Sequence, residues 1–438
     1  MRTEILIFLL LLSGLTITAQ NIDQTQLDRF ISHIESNNQG VGAVSVFKEG
    51  KEVYHRSFGQ DSITGLKWNQ HSKYQIGSIT KVFTAVLIWK LIEEGKLSPD
   101  DKLVQFYPQI PNAGKITIKN LLEHSSGIKR DYSNKPDNKN WLLESEVSDK
   151  EIIHEITRQG IDFEPGDSVA YSNSAYYLLK NIVEQKYGKG YGKVLQKEII
   201  KPNGLKDFVA ADMNLQHLFS SYQYNYLDAA WQTKPDYVYR NIIGVGDIAT
   251  LPSQLNKFFY NLFQGKVVKP ETLQQMLPSE KEDFGRNLAG INFYTTKTYG
   301  HAGDTKGTHS LVVFDPETNI GFSVSLIGQR YPKNDFYIAI YNAIYTDKKE
   351  LPYFAAVQDL KKHEGVYYNQ AYDLTLKVYM DAESGLMCED VGAEASFLLT
   401  PYAAQKFKFD QFGIKIEFKE NQILFTQEGE RITLTRQP

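Results

Sequence analysis

A single cysteine, Cys388, stands in a chain of 438 residues. That excludes an intrachain disulfide and any zinc site built on cysteines. An excess of one charge sign is also lacking: 48 Lys and Arg face 52 Asp and Glu, a formal net charge of −4. Without a basic excess there is no general attraction for phosphates, and no nucleic-acid partner is expected. Apolar content is ordinary at 42%, which excludes a disordered chain. Beyond the N-terminus no hydrophobic run is long enough for a stable membrane span. The histidines show no His-Glu-x-x-His or comparable spacing, so no metal is called for, and no organic cofactor either. There is no Gly-x-Ser-x-Gly nucleophile elbow and no phosphate-binding loop. Internal repeats and low-complexity tracts are missing too.

What is present begins with an export pattern. In MRTEILIFLLLLSGLTITAQ one Arg precedes an apolar run from Ile5 to Leu12, and Ala19 stands before Gln20. That is the shape of a secretory signal peptide over residues 1–19, with cleavage after Ala19. The alternative is an N-terminal anchor helix, although the run is shorter than the roughly 20 residues of a relaxed span. No cysteine follows the run to carry a lipid. The expected location is periplasmic or secreted.

Periodicity then divides the chain. Residues 22–37 have helical spacing, with Leu27, Phe30, Ile31 and Ile34 on one face. VGAVSVFKEGKEVYHRSFG predicts a hairpin turning at Glu49-Gly50. Helical patterns follow over 78–94, twice within 150–200, over 253–264 and over 335–347. Between Ile291 and Ile327 the chain is β-rich. Strands at both ends with helices between them predict one mixed domain whose sheet draws on both ends of the segment. After residue 354 the pattern is period-two: Leu374, Leu376, Val378 and Met380, then Phe407/Phe409, Ile414/Ile416/Phe418, Ile423/Phe425 and Ile432/Leu434. This predicts a small antiparallel β domain, a barrel or a sandwich. Cys388 within it is read as a small buried hydrophobe.

Three short patterns carry possible chemistry. Ser78-Ile79-Thr80-Lys81 opens a helix, where residues i and i+3 share a face, so the Lys81 amine reaches the Ser78 hydroxyl. A lysine depressed by burial or nearby positive charge can accept that proton. Ser45-Lys48 and Ser126-Lys129 repeat the spacing. Ser45 lies in a strand, where i and i+3 face opposite ways, and Ser126 lies in a turn. Tyr171-Ser172-Asn173 follows Pro165-Gly166. A phenol beside an ammonium is expected to have a lowered pKa and to relay protons, and the Asn173 amide to hold Lys81 and a substrate carbonyl. Tyr132-Ser133-Asn134 repeats this tripeptide. His301-Ala302-Gly303, followed by Asp304, ends a strand whose small residues free backbone N–H groups for a carbonyl oxygen. Alone, the bland readings are favoured: a helix cap with a solvated lysine, a chance tyrosine and a turn histidine.

Together and in this order they resemble a known family, the class C β-lactamase-like serine hydrolases with their D,D-peptidase and esterase relatives. The resemblance covers roughly residues 22–347. It is carried by YQIGSITKVFTAVLIWKLIEEGKLSPDD, ITIKNLLEHSSGI, FEPGDSVAYSNSAYYLLKNIVE and YGHAGDTKGTHSLVVFDPETNIGFSV. It implies an α+β fold: an antiparallel sheet flanked by helices, beside a mostly helical subdomain, with the site at their junction. It implies Ser78 as acylated nucleophile, Lys81 as its base partner and Tyr171 as proton relay and deacylation base. Asn173 would contact substrate, His301 and Gly303 would belong to the third motif, and the N–H groups of Ser78 and Asp304 would hold the oxyanion. His124, in LLEHSSGI, falls in a segment that is mainly architectural.

Two departures bear on substrate. Where class C β-lactamases carry Lys-Thr-Gly, His301 stands here, a variant closer to the esterases and peptidases. Asp304 replaces a small residue, and an acid at the cleft rim is expected to disfavour anionic substrates. The C-terminal β domain resembles lipocalin-like extensions that cover the cleft or bind a partner. The expected organisation is a signal peptide (1–19), a hydrolase domain (20–350) and a small β domain (356–438). The expected function is an exported serine hydrolase cleaving an ester, a D-amino-acid peptide or amide, or a β-lactam, in that order. Its partners would be small molecules or peptides, peptidoglycan among them. The alternative is a non-catalytic penicillin-binding-type sensor of peptides or peptidoglycan.

Overall fold

The computed structural model describes residues 22–133, 141–278, 287–346 and 350–438. The signal-peptide reading of residues 1–19 and the position Asn134 lie outside these. Among the described residues no helix is long and apolar enough to cross a membrane.

The main sheet is antiparallel and joins the two ends of the hydrolase region. Its order is β2 (Lys51–Phe58), β1 (Gly40–Lys48), β10 (Ile320–Gln329), β9 (His309–Asp315), β8 (Thr296–Asp304) and β7 (Ala289–Phe293). Four shorter strands lie between β2 and β7 in the chain. Tyr74–Gln75 (β3) pairs with Ala249–Thr250 (β6), and Ser221–Asn225 (β4) forms a hairpin with Ala230–Lys234 (β5). The expected hairpin turn is formed at Glu49-Gly50, both at positive φ.

Helices Gln24–Ser36 and Lys333–Tyr345 cover one face of the sheet. Leu27, Phe30, Ile31 and Ile34 pack there against Phe336 and Ile340, as the 3.6-residue spacing requires. The other face meets Pro252–Phe263 and the helical subdomain, whose centre is the helix Thr80–Glu93. That helix is buried all round from Thr80 to Trp89. An element apolar on every side belongs inside a core rather than on its surface, so its N-terminal end is held rigidly.

The C-terminal unit is a nine-stranded antiparallel sheet, ordered β14-β13-β12-β11-β19-β18-β17-β16-β15. Its strands run from Gly365–Asn369 (β11) through Leu374–Asp381, Gly385–Asp390, Ala395–Leu398 (β14), Thr400–Ala403 (β15), Lys406–Phe409, Ile414–Lys419 and Gln422–Gln427 to Glu430–Arg436 (β19). The two edge strands, β14 and β15, are separated in sequence by Leu399 alone, so the edges lie side by side and the sheet nearly closes. Leu376, Val378, Cys388, Ile416, Phe418, Ile423 and Leu434 fill the interior. The period-two reading and the buried Cys388 hold. The likeness to a lipocalin extends to the all-β, near-closed form; the interior is packed with side chains.

Candidate active site

Ser78 sits in a single 3₁₀ turn, Gly77–Ile79, that leads directly into the helix Thr80–Glu93. The expected helix start is therefore tighter by one turn, but the Ser78–Lys81 spacing keeps both on one face. Lys81 Nζ lies 3.1 Å from Ser78 Oγ and donates to the Val245 carbonyl at 2.8 Å. The lysine is buried at 1% exposure. Burial pushes its ammonium down to about 7, with Asp131 opposing and Arg130 reinforcing the shift. An amine that is half-neutral near pH 7 is able to take a proton from a hydroxyl.

Tyr171 lies by the same hydroxyl, close enough for Ser78 to act on its pKa. The Lys81 ammonium lies 5.0 Å from its ring centre. The expected lowering of the phenol does not occur. Burial raises the Tyr171 pKa above the ordinary range, and the Ser78 hydroxyl and Arg130 charge only partly offset this. Desolvation opposes the charged form of both residues, so it neutralises the lysine and keeps the phenol protonated. Of these two, Lys81 is the group brought near neutrality.

The position of Tyr171 is set from both sides. Ser172 caps the helix Asn173–Tyr187, its side chain accepting from the Ala175 N–H at 3.0 Å. His124 clamps the preceding loop: its carbonyl accepts from Ala170 N–H at 2.9 Å, and its Nδ1 accepts from Ser172 N–H at 3.0 Å. The ring of His124 stacks on Tyr171 with centroids 4.5 Å apart. Burial drives its pKa well below 6.5, so the ring is neutral. His124 is thus a positioning residue, in keeping with its architectural segment.

Asn173 is the first residue of its helix and lines the cleft with Ser78. It does not hold Lys81, which the Val245 carbonyl holds instead. Its Nδ2 donates to Asp131 at 3.4 Å, and its buried Oδ1 has no hydrogen-bond partner among the described residues. Such an acceptor is open to a donor on a substrate.

Two glycines bring β8 against the nucleophile turn. A Cβ on Gly303 would stand 1.9 Å from the Ile76 carbonyl and 2.9 Å from Ser78 N, and one on Gly77 would stand 2.7 Å from Asp304 N. Gly77 also has φ +52°. The Ser78 and Asp304 backbone groups therefore approach across a gap that admits no side chain. His301 is 5% exposed, and burial lowers it to about 4. A neutral ring does not replace the cationic lysine of Lys-Thr-Gly.

Asp304 does not act as a bare acid on the rim. Its Oδ1 accepts from Lys333 Nζ and pairs with His309 Nδ1, each at 2.5 Å. Burial works to raise its pKa, but these two hydrogen bonds and the accompanying charges hold it below the ordinary carboxylate value. Asp304 stays exposed on the rim, but its charge is paired with Lys333, which weakens the expected repulsion of anions.

Ser78, Asn173 and Asp304 line one narrow cleft of ≈ 60 Å³, together with Asp131, Tyr237 and Val245. The competing motifs fall away. Ser45 is buried in β1, donating to Glu52. Ser126 lies in its turn. Tyr132 lines the cleft, but its hydroxyl donates to the Asn241 carbonyl at 3.0 Å. Sequence reasoning missed Arg130, Asp131, Val245 and Asp247. Buried Asp247 accepts from the N–H groups of Gly244 at 2.7 Å and Ala211 at 2.8 Å, fixing the segment that carries the Val245 carbonyl. Among the described residues no cluster of side chains is suited to a metal.

This antiparallel sheet, with a Ser-x-x-Lys turn where it meets a helical subdomain, is the arrangement of the β-lactamase-type serine hydrolases. Residues 27–345 match the Beta-lactamase family, and the chain belongs to it. Penicillin-binding protein 4* of Bacillus subtilis is 28% identical over 260 residues, covering 54% of this chain and 55% of its own. Teichoic acid D-alanine hydrolase of Staphylococcus aureus is 24% identical over 253 residues, covering 58% and 60%. The chain thus spans little more than half the length of these relatives. Among solved structures, the octameric penicillin-binding protein homologue from Pyrococcus abyssi has a TM-score of 0.69 at 24% identity, covering 94% of this chain and 100% of its own. D-amino acid amidase from Ochrobactrum anthropi has a TM-score of 0.65 at 20% identity, covering 73% and 98%. These two likenesses establish the fold alone.

Proposed function

We propose that the protein is an exported hydrolase that cleaves an ester or amide of a D-amino acid through a Ser78 acyl-enzyme. The observation that carries this is the Ser78 hydroxyl 3.1 Å from a buried lysine whose pKa is pushed down to about 7. Neutral Lys81 takes the proton as Ser78 Oγ attacks the carbonyl carbon. The N–H groups of Ser78 and Asp304 receive the developing oxyanion. As the tetrahedral intermediate collapses, the proton passes from Lys81 through the Tyr171 hydroxyl to the leaving oxygen or nitrogen. Water then repeats the sequence on the acyl-enzyme, with Lys81 as base by way of Tyr171, and the acid is released. Asn173 Oδ1 is placed to accept a hydrogen bond from the substrate.

The substrate class is supported by relatives whose names specify a teichoic acid D-alanine hydrolase and a D-amino acid amidase. A neutral His301 argues against preferring β-lactams, whose carboxylate calls for a cation at that position. Export rests on the pattern of residues 1–19, and it would bring the site to cell-wall peptides and esters. A fluorophosphonate probe is expected to label the wild-type protein and to leave Ser78→Ala unlabelled. Equal labelling of both would end the nucleophile assignment.

A further inference from the structure

A second cleft, of ≈ 350 Å³, lies across the Asp304–His309 pair from the nucleophile cleft. Its walls come from three parts of the chain: the hairpin β4–β5, the turn between β8 and β9 with the end of β10, and the β domain through Glu383, Ser384 and Leu398. The two units are joined here. Tyr226 N–H donates to the Ala382 carbonyl at 2.8 Å, and Lys361 Nζ to the Leu227 carbonyl at 3.0 Å.

The two clefts share no lining residue but are bridged by one turn. Lys306 lines it, yet its Nζ lies 5.5 Å from the ring centre of Tyr237, which lines the nucleophile cleft. His309 lines it and binds Asp304, which lines the other. Asp236 pins this turn to the hairpin, accepting from Lys306 N–H at 3.0 Å and from the Ser221 hydroxyl at 2.6 Å. A substrate bound at Ser78 and long enough to pass the Asp304–His309 pair would reach the second cleft.

Its charge is one-sided. Lys234, Lys306 and Arg330 line it against one carboxylate, Glu383. Arg330 is held by the carbonyls of Asn37 and Asn38 and by the rings of Tyr224 and Tyr226, 4.3 and 4.7 Å away, rather than by an acid. Its Nε is buried without a hydrogen-bond partner among the described residues, and so is the Oε1 of neighbouring Gln329. A guanidinium N–H without a partner among the described residues is a donor left over for an acceptor.

We propose that this cleft binds an anionic group, a phosphate or a carboxylate, on the part of the substrate remote from the scissile bond. The proposal rests on the Ser78 reading for where the scissile bond lies. It gives the β domain a defined task, as one wall of an extended substrate site. Asp304 at the junction, its charge paired with Lys333, repels a passing anion less.

The test uses the full chain and matched D-alanyl and acetyl esters that end in a phosphate, a carboxylate or a neutral methyl ether. The end group is placed in turn on the acyl and on the alcohol side. On one side the anionic esters should exceed the neutral one in kcat/KM by about tenfold at low salt, a margin that shrinks as ionic strength rises. The phosphate and carboxylate arms tell the two sources apart. In Lys234→Gln/Lys306→Gln, two exposed or half-buried substitutions, that ratio should fall to near one. No anionic preference in the wild type, or a preference that survives the double variant, overturns the proposal. Calorimetric binding of the phosphate ester to Ser78→Ala, with and without the two lysine changes, reads the cleft without turnover; equal affinities also overturn it. Hydrolysis that persists in Ser78→Ala would instead sink the nucleophile reading and leave this binding readout intact.

Discussion

The hydrolase region and the β domain are built on opposite interiors. Among the described residues every buried polar or charged side chain lies between Gln39 and Ser325, including Lys81, His124, Asp247 and His301. From residue 350 onward the buried side chains are aliphatic, aromatic or sulfur-bearing, and the one hydroxyl among those described, on Tyr367, donates to the His363 carbonyl. Burying a polar group is unfavourable unless it finds partners, so a domain keeps such groups where they do something an apolar core cannot. In the hydrolase region burial is the instrument of the chemistry: it lowers Lys81 and keeps Tyr171 and His301 uncharged. In the β domain burial supplies stability and a surface.

Three substitutions set that contrast to the test. The largest effect on rate is expected from Lys81→Met, which keeps the volume and removes the base: kcat/KM should drop by about 10⁴-fold, the upper end of general-base contributions. In the wild type kcat/KM should rise with pH through about 7 and level off above it, because the neutral amine is the active form. The linked stability has the same sign. A lysine at about 7 in the fold and 10.5 in the unfolded chain binds fewer protons folded, so stability rises with pH between those values. Buried Asp247 is raised to about 7 as well, so Asp247→Asn should keep the limb if it belongs to Lys81, and a profile without a limb near 7 would detach Lys81 from catalysis. Tyr171→Phe should cost about 10²-fold in turnover with the fold intact; unchanged turnover would remove the relay. Ile416→Ala, at a fully buried β-domain site, should have the smallest effect on the chemistry while destabilising its own domain by about 2–5 kcal/mol. Calorimetry should show that loss in the β-domain transition, with Ser78 still labelled at temperatures below it. Loss of labelling together with that transition would erase the division between the two interiors.

The helices and strands were legible because their spacing is local: Leu27 to Ile34 declare a helix face, and Ile414 to Phe418 a strand. Ser78–Lys81 was legible for the same reason, since one turn of backbone fixes both ends. What joins distant segments was not. The Val245 carbonyl that holds Lys81 lies 164 residues away and is a backbone atom, which no side chain announces. Lys333 pairs with Asp304 from 29 residues on, across a strand pair and a turn, so the sequence shows the exposed acid and not its partner. The sign of the Tyr171 shift depended on how much water the fold removes, which proximity to a lysine does not reveal. The hairpin β4–β5, which walls the second cleft, is short and mixed in pattern and carries no clear period.

Gly77 and Gly303 carry a consequence for engineering and for reading natural variants. Neither has a group that reacts, yet one added carbon at either would collide with the opposing backbone. The gap between the two strands of atoms that receive the oxyanion is thus a gauge, set by what is missing. Gly303→Ala would make a switch with every reactive atom in place and the aperture shut. A relative that keeps Ser78, Lys81 and Tyr171 in its sequence but has a larger residue at position 303 would be a binder wearing the signature of an enzyme.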